Sequence, residues 1–398
     1  MAPPKFSVHK RAAKRISAGH PWVFSNELNV PARDLPEGGT VDVTAPDGRF
    51  LGRGYANPGA LIAVRLCTRA KTQHIDLPGF WASRLRDAVE LRRALYPGST
   101  AYRLVHGESD GMPGLVLDRL GDTVVASVST LGMEQRLPQV LEALKDVVPE
   151  LSSGILRNDG KARELEGLPA ETGVWFGEPP DAVLIDEGGL QHEVRPLAGE
   201  RTRHWFDQRD NRTFAAHFAK GRRVLDVYAG SGTWGLRMLA AGASEVMFVD
   251  KYEEACEAIE AGAARNGWSE QVQIVHDEAR KTLIAMAAEG HRFDLVILDP
   301  PPFARTRKAA GSALKGYREM NKLAMQLTTP GGLLCTTSRS RHIFEDCFVE
   351  QVRDAAEEAG RRVRVLRRGE QSADHPVLPA MDESRYLKHY CLQILAQV

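Results

Sequence analysis

Asp226-Val227-Tyr228-Ala229-Gly230-Ser231-Gly232-Thr233 closes an apolar run that begins at Val224, and its reading decides the fold of the C-terminal half. An apolar strand that ends in a glycine-rich turn and opens a helix is the repeating unit of a parallel α/β sheet. The same rhythm recurs downstream. The pattern predicts strands over Val224–Tyr228, Glu245–Val249, Val272–Val275 and Phe293–Leu298, with helices beginning at Gly235–Ala241 and running over Glu253–Asn266 and Ala279–Ala288. Crossovers of that length return each strand in parallel, so the expectation is an open, Rossmann-like sheet with helices on both faces.

Such sheets bind ligands at the carboxyl ends of their strands. Gly230, Gly232 and Gly235 satisfy the dinucleotide pattern G-x-G-x-x-G, which alone is a weak signal. Two features favour S-adenosylmethionine (SAM) over a nicotinamide. Asp226 stands four residues before Gly230, where a carboxylate would hold the methionine ammonium and would repel a pyrophosphate. Asp299-Pro300-Pro301-Pro302-Phe303 ends the fourth strand, a feature that hydride transfer does not require. Asp250 ends the second strand and suits ribose hydroxyls, and Asp277 ends the third and suits the adenine amine; either could instead cap a helix. The expected cofactor site therefore takes in Asp226, Tyr228, Gly230, Ser231, Gly232, Thr233, Asp250, Lys251, Asp277, Glu278 and Asp299. Prolines stiffen the segment after Asp299, which points to a slot for a flipped-out base lined by Pro300 and Pro301, with Phe303 placed to stack on it.

Working outward, 398 residues exceed one ordinary domain, and 43% apolar with 26% charged residues is ordinary globular chemistry. The first 75 residues read as a β-rich module with a basic helix over Ala12–Ala18. Residues 76–187 read as a central α/β domain, with a helix over Phe80–Leu95, strand-like pieces at Leu115–Leu117 and Val124–Val128, a helix over Gln139–Val147 and a strand at Ala182–Ile185; residues 188–398 form the last domain. No run approaches a membrane span, and the N-terminus lacks an apolar leader, so no membrane partner is expected. Five scattered cysteines (Cys67, Cys256, Cys335, Cys347, Cys391) argue against a disulfide framework or a metal site and fit a reducing cytoplasm. Net charge is zero, yet Lys5, Lys10, Arg11, Lys14 and Arg15 form one basic cluster. Arg305, Arg307 and Lys308, then Arg339 with Arg341, and finally Arg361, Arg362, Arg364, Arg367 and Arg368 form others. Locally basic surface suits a polyanion. Oligomeric state is open, and a homodimer is compatible with the sequence.

Longer stretches add to this reading. His20-Pro21-Trp22-Val23-Phe24-Ser25, Gly107-Glu108-Ser109-Asp110-Gly111-Met112-Pro113-Gly114, Phe206-Asp207-Gln208-Arg209-Asp210, the glycine loop, the Asp-Pro-Pro motif, Gly316-Tyr317-Arg318-Glu319-Met320-Asn321 and Ala373-Asp374-His375-Pro376 span nearly the whole chain. In these the chain resembles the bacterial large-subunit ribosomal RNA cytosine-carbon-5 methyltransferases. The resemblance implies an N-terminal PUA-like RNA-binding domain, a central α/β domain and a C-terminal SAM-dependent methyltransferase domain acting on ribosomal RNA. It further implies that Gln208 and Arg209 border the cofactor, and it puts Tyr317 with the base-binding residues. His375, beside Pro376, reads more simply as a turn or RNA contact than as a general base.

One position departs from the family. Carbon 5 of cytosine is a poor nucleophile, and the family adds a cysteine thiolate to carbon 6 to activate it. That cysteine is expected after Gly331-Gly332, where this chain reads Ser338-Arg339-Ser340. A guanidinium cannot form the adduct. Cys335 reads as a core residue of the preceding strand and Cys347 as part of the next helix. Arg339 and Asp299 stand as the catalytic positions. Because the rest of the site is intact, the expected activity stays that of the family, methylation of a cytosine of large-subunit ribosomal RNA. Beside it three readings stay open: methylation at a nitrogen or oxygen, a silent SAM- and RNA-binding homologue in which Arg339 grips phosphate, or carbon-5 chemistry through another cysteine.

Overall fold

The computed structural model describes residues 2–197, 204–304 and 306–395; Arg305, named above among the basic residues, lies outside the described residues. The chain divides into two compact units: Met1–Ile185 with Val194–Thr202 and Ala373–Ser384, and Asp186–Glu193 with Arg203–Ser372 and Arg385–Val398.

The first unit holds two five-stranded sheets. One combines Lys5–Ser7, Trp22–Phe24, Thr40–Thr44, Phe50–Ala56 and Ile62–Thr68. The helix Lys10–Ser17 packs Ala12, Ala13 and Ile16 into its core, so the basic helix begins two residues earlier than the sequence suggested. His9 explains the earlier start, because its Nδ1 accepts from the Ala12 N–H at 3.1 Å and caps the first turn. Lys10, Arg11 and Lys14 face outward, whereas Arg15 pairs with Glu27 at 2.5 Å. The other sheet runs Glu171–Phe176, Ser153–Asn158, Thr123–Val128, Leu115–Leu120, Ala101–His106, with the helices Pro78–Leu95 and Leu137–Val147 over a shared core.

Three of the stretches that carry the family resemblance meet inside this unit. Glu108 accepts from Trp22 Nε1 at 2.8 Å and from Arg65 at 2.7 Å. Asp110 pairs with Arg92, which is fully buried and also donates to the Asp374 carbonyl. His375 is buried, 2.8 Å from the Asp374 carboxylate and with its ring 5.0 Å from that of His106. These are internal ties, which makes His375 a packed turn residue rather than an exposed RNA contact.

The second unit carries one seven-stranded sheet, numbered here within the unit. Its strands are β1 (Arg223–Val227), β2 (Glu245–Asp250), β3 (Val272–His276), β4 (Phe293–Leu298), β5 (Thr328–Ser338), β6 (Arg362–Gly369) and β7 (Lys388–Leu395). The order is β3-β2-β1-β4-β5-β7-β6. β1 to β4 are parallel as expected, β5 continues the parallel set, and β7 runs antiparallel to both β5 and β6. Among the described residues six helices flank the sheet: α1 (Arg209–Ala216), α2 (Thr233–Ala240), α3 (Glu253–Arg265), α4 (Ala279–Ala288), α5 (Ala310–Leu327) and α6 (Glu345–Glu358).

Period-two alternation divides the strand residues between two cores. Val224, Val246, Phe248, Leu295 and Ile297 join Ala215, Leu236, Leu239 and Ile259 of α1 to α3. Leu225, Val227, Val249, Val296 and Leu298 join Leu283, Met320, Leu323 and Phe348 of α4 to α6. Central strands buried on both faces read as continuous apolar runs, which is why the sequence located them so closely. The strand order reverses between β1 and β4. The carboxyl ends of those two strands therefore border the crevice where open α/β sheets hold their ligands.

Candidate active site

Three carboxylates collect around that crevice. Asp226 lies one residue before the end of β1 and is fully buried; its Oδ2 accepts from the Gly235 N–H at 2.8 Å, tying the strand to α2. Its Oδ1 has no hydrogen-bond partner among the described residues. Burial pushes the Asp226 carboxyl up to about 7, with the neighbouring charges of Asp299 and Asp250 adding to the effect against the Gly235 hydrogen bond. An orphaned, partly protonated carboxylate is costly unless a cationic group arrives to pair with it.

Asp250, the last residue of β2, accepts from the Gly230 N–H at 2.8 Å on one oxygen and from the Tyr252 N–H at 3.1 Å on the other. Each oxygen keeps a lone pair for a diol. Between these acids the chain turns sharply. Tyr228 adopts φ 63°, the only positive φ among the described non-glycine residues, and Gly230 and Gly232 follow at φ 56° and 75°. A Cβ at Gly230 would meet nothing within 4 Å, so the loop backbone is open to an incoming group there. A Cβ at Gly232 would lie 2.9 Å from Ile259 and one at Gly235 2.2 Å from Phe248, so those glycines serve helix packing. Ser231 is half-buried, and Thr233 is buried in the first turn of α2.

The third strand end differs from the expectation of four acids ringing one cavity. Asp277 is half-buried, with its side chain 38% exposed, and is held by Lys281 at 2.7 Å, four residues along the chain. Hydrogen bonds from Lys281 and from the Glu278 N–H lower its pKa. Glu278 is the cap of α4, accepting from the Arg280 and Lys281 N–H groups. Lys251 is exposed, with its ammonium over the Tyr252 ring at 4.8 Å. These residues form an outer rim, while Asp226, Asp250 and Asp299 form the floor.

Asp299 follows β4, and Arg339 follows β5. Arg339 donates to the two Asp299 oxygens at 3.2 and 2.9 Å and to Asp207 at 2.7 Å, and its guanidinium lies 4.5 Å from the Trp205 ring centroid. Burial disfavours the cation, but Asp207 and Asp299 outweigh it and hold Arg339 protonated beyond a guanidinium's ordinary range. Trp234 Nε1 adds a donor to Asp299 at 3.2 Å, and Tyr386 adds its hydroxyl to Asp207 at 2.8 Å. The Arg339 side chain is only 9% exposed, and three of its N–H groups go to the carboxylates of Asp207 and Asp299.

The loop carrying Arg339 is fixed from below. Lys388 donates to the Ser340 carbonyl at 2.7 Å, with burial pushing its ammonium down to about 8. His389, driven to about 4 by burial, stacks on Trp234 and shares a hydrogen bond with Thr337. Gln208 is buried, donating to Thr337 Oγ1 at 3.1 Å and accepting from Asn211 at 2.7 Å. Arg209 is buried over Phe206 and lies 3.5 Å from Glu187.

The proline run behaves in part as expected. Pro301 and Pro302 are exposed and Phe303 is half-buried. Phe303 packs on Tyr317 at 4.6 Å and against Gly316, so one face of its ring is already taken. Tyr317 itself is fully buried, with its hydroxyl 3.0 Å from Ser340 Oγ. It supports Phe303 from within the core and does not reach a substrate. Cys335 is a core residue of β5 opposite Cys391 of β7, and Cys347 packs from α6 against the core. Sequence reasoning missed Asp207, Trp205, Trp234 and Tyr386; only Asp207 carried a signal, as a member of a quoted motif.

Comparison with known proteins agrees with this architecture. A PUA-like domain family matches residues 6–69, and a family described as Conserved hypothetical protein 95 matches residues 190–357. The Ribosomal RNA large subunit methyltransferase I of Shewanella denitrificans is 39% identical over 94% of this chain and 95% of its own. That of Pseudoalteromonas atlantica is 35% identical over 98% and 99%. Among solved structures, a chain assigned as a methyltransferase and complexed with SAH superposes at a TM-score of 0.84, with 20% identity over 98% of this chain and 99% of that one, a likeness of fold.

Proposed function

Because the chain belongs to the ribosomal RNA large subunit methyltransferase I family, we propose that it transfers a methyl group from SAM to large-subunit ribosomal RNA. The observation that carries the reading is the buried carboxylate floor at the point where strand order reverses, with one Asp226 oxygen lacking a partner. Those residues fit the cofactor. Asp226 would pair with its ammonium, Asp250 would accept from its ribose hydroxyls, and the open backbone from Tyr228 to Thr233 would pass beneath its methionine portion. Asp277, Glu278 and Lys251 would meet the adenine at the rim, and Gln208 and Arg209 would shape the wall.

The base slot is assigned to Asp299, Pro300, Pro301 and the free face of Phe303. The RNA-docking role is assigned to residues 1–75 as the PUA-like domain, with Lys10, Arg11 and Lys14 facing phosphate; residues 76–187 and 188–398 remain the proposed central and methyltransferase domains. A cytosine is compatible with the slot as a base. Position 339 offers no thiol, which favours transfer to an atom that needs no covalent adduct.

Incubation with methyl-labelled SAM and unmodified large-subunit ribosomal RNA tests the reading. Label is expected in the RNA; SAM binding without transfer would make the protein a silent homologue, and NAD binding in place of SAM would contradict the site.

A further inference from the structure

Trp205, just ahead of the Phe206-Asp207-Gln208-Arg209 stretch, is 45% exposed, yet it is firmly held. Its carbonyl accepts from Arg212 Nη1 at 2.8 Å and from the Gln208 N–H at 3.2 Å. Its indole lies 4.5 Å from the Arg339 guanidinium, and no other ring packs against it among the described residues. Arg339 is itself fixed, by Asp299 at 2.9 Å and by Asp207 Oδ2 at 2.7 Å. The same Asp207 oxygen accepts from the Tyr386 hydroxyl at 2.8 Å, and the Arg341 guanidinium lies 5.9 Å from the Tyr386 ring centroid. One carboxylate thus ties together two aromatic side chains, each with an arginine against it. Both arginines follow β5, the neighbour of the strand that borders the crevice. Arg341 is exposed and, unlike Arg339, has no carboxylate partner among the described residues.

Resting on the ribosomal RNA reading above, we infer that Trp205 is a further substrate-binding residue. Its uncovered indole surface stacks on an unpaired base of the strand beside the methylated nucleotide, and Arg341 meets that strand's phosphate. Every nucleobase has a π face, so rings interleaved with guanidinium groups bind single strands by stacking while the cations attract the backbone. The indole is preorganised: Arg339 backs it and the loop backbone anchors it, so little further side-chain freedom is lost when a base arrives. Arg339 acts here as a positioning residue. Trp205 and Asp299 touch one and the same guanidinium, which puts the stacked base about one nucleotide step from a base held beside Asp299. An acidic protein would also be drawn to Arg341 but would leave the indole surface in water, so the exposed ring favours RNA as the occupant.

The test follows tryptophan fluorescence of the full-length protein, saturated with SAH, during titration with single-stranded oligocytidine. A parallel titration uses inorganic polyphosphate, which carries the charge without the bases. Oligocytidine is expected to quench the emission and polyphosphate to leave it unchanged. Trp205→Phe should lose the quench yet keep the oligocytidine affinity within about threefold, because a phenyl ring still stacks. Trp205→Ala should weaken that affinity about tenfold while SAH binds as to the parent. Arg341→Gln should keep the quench and flatten the log–log salt dependence by about 0.7, the share of one phosphate on a single strand. Equal oligocytidine affinity in the parent and Trp205→Ala, a full quench in Trp205→Phe, or equal quenching by polyphosphate would overturn the inference. So would a joint loss of SAH and oligocytidine binding in Trp205→Ala, which marks a merely structural residue. Methyl transfer to the ribosomal RNA transcript is read separately. Label in that transcript without a Trp205 effect would sink this inference alone, and a Trp205-dependent quench without label would sink methyl transfer alone.

Discussion

At the scale of single residues, Arg339 is the side chain whose removal should cost most. It neutralises Asp207 and Asp299, each less than a tenth exposed. Arg339→Ala leaves two buried carboxylates without their cation and should lower stability by about 3–5 kcal/mol in denaturant unfolding. A loss under about 1 kcal/mol would mean that the network is not closed as described. Asp226 makes a pH-dependent prediction. Its folded pKa, about 7, lies above the unfolded carboxylate value, so the unfolded chain ionises first and this group's contribution to stability falls as pH rises from about 4 to 7. A bound ammonium reverses the preference by stabilising the charged form. Calorimetric affinity for SAH should therefore be about tenfold weaker at pH 6 than at pH 8. Asp226→Asn should flatten that dependence; an unchanged slope would remove Asp226 from the site.

At the scale of elements, the glycine loop separates ligand binding from packing. Gly230→Ala places a Cβ in open space but at φ 56°, so it should cost about 1–2 kcal/mol of stability and most of the SAH affinity. Gly235→Ala drives a Cβ into Phe248 and should cost about 1–3 kcal/mol through the α2–β2 contact, with the loop conformation kept. Comparing the two by thermal unfolding with and without SAH distinguishes the roles. These elements were legible because β1 and β4 are buried on both faces and read as continuous apolar runs. The strands Ala101–His106, Ser153–Asn158 and Glu171–Phe176 escaped notice: their sequences mix Arg, Ser, Asn and Gly with apolar residues, and their pairing is set by long-range partners. Likewise, β6 reads as an arginine cluster because five of its eight residues are exposed at a sheet edge. The site was legible where a motif sits at a strand end. The Asp207–Arg339–Asp299 bridge was not, since it joins residues up to 132 positions apart.

At the scale of the whole molecule, two units with separate cores divide the proposed tasks: one presents a basic helix, the other the carboxylate floor. Among the described residues no helix is long and apolar enough to cross a membrane. Replacing Lys10, Arg11 and Lys14 together by Gln should weaken RNA binding and flatten its log–log salt dependence by about 2–3, while SAH affinity stays as it was. An unaltered salt slope would move RNA docking elsewhere.

Calorimetric titration of SAH into the full-length protein and its Asp250→Ala variant probes the cofactor assignment on which every role above depends. The account expects one molecule bound per chain and a loss of about tenfold or more on removing the Asp250 carboxylate, equivalent to at least about 1.4 kcal/mol. Equal affinity in both proteins, or no binding to the parent, would contradict it.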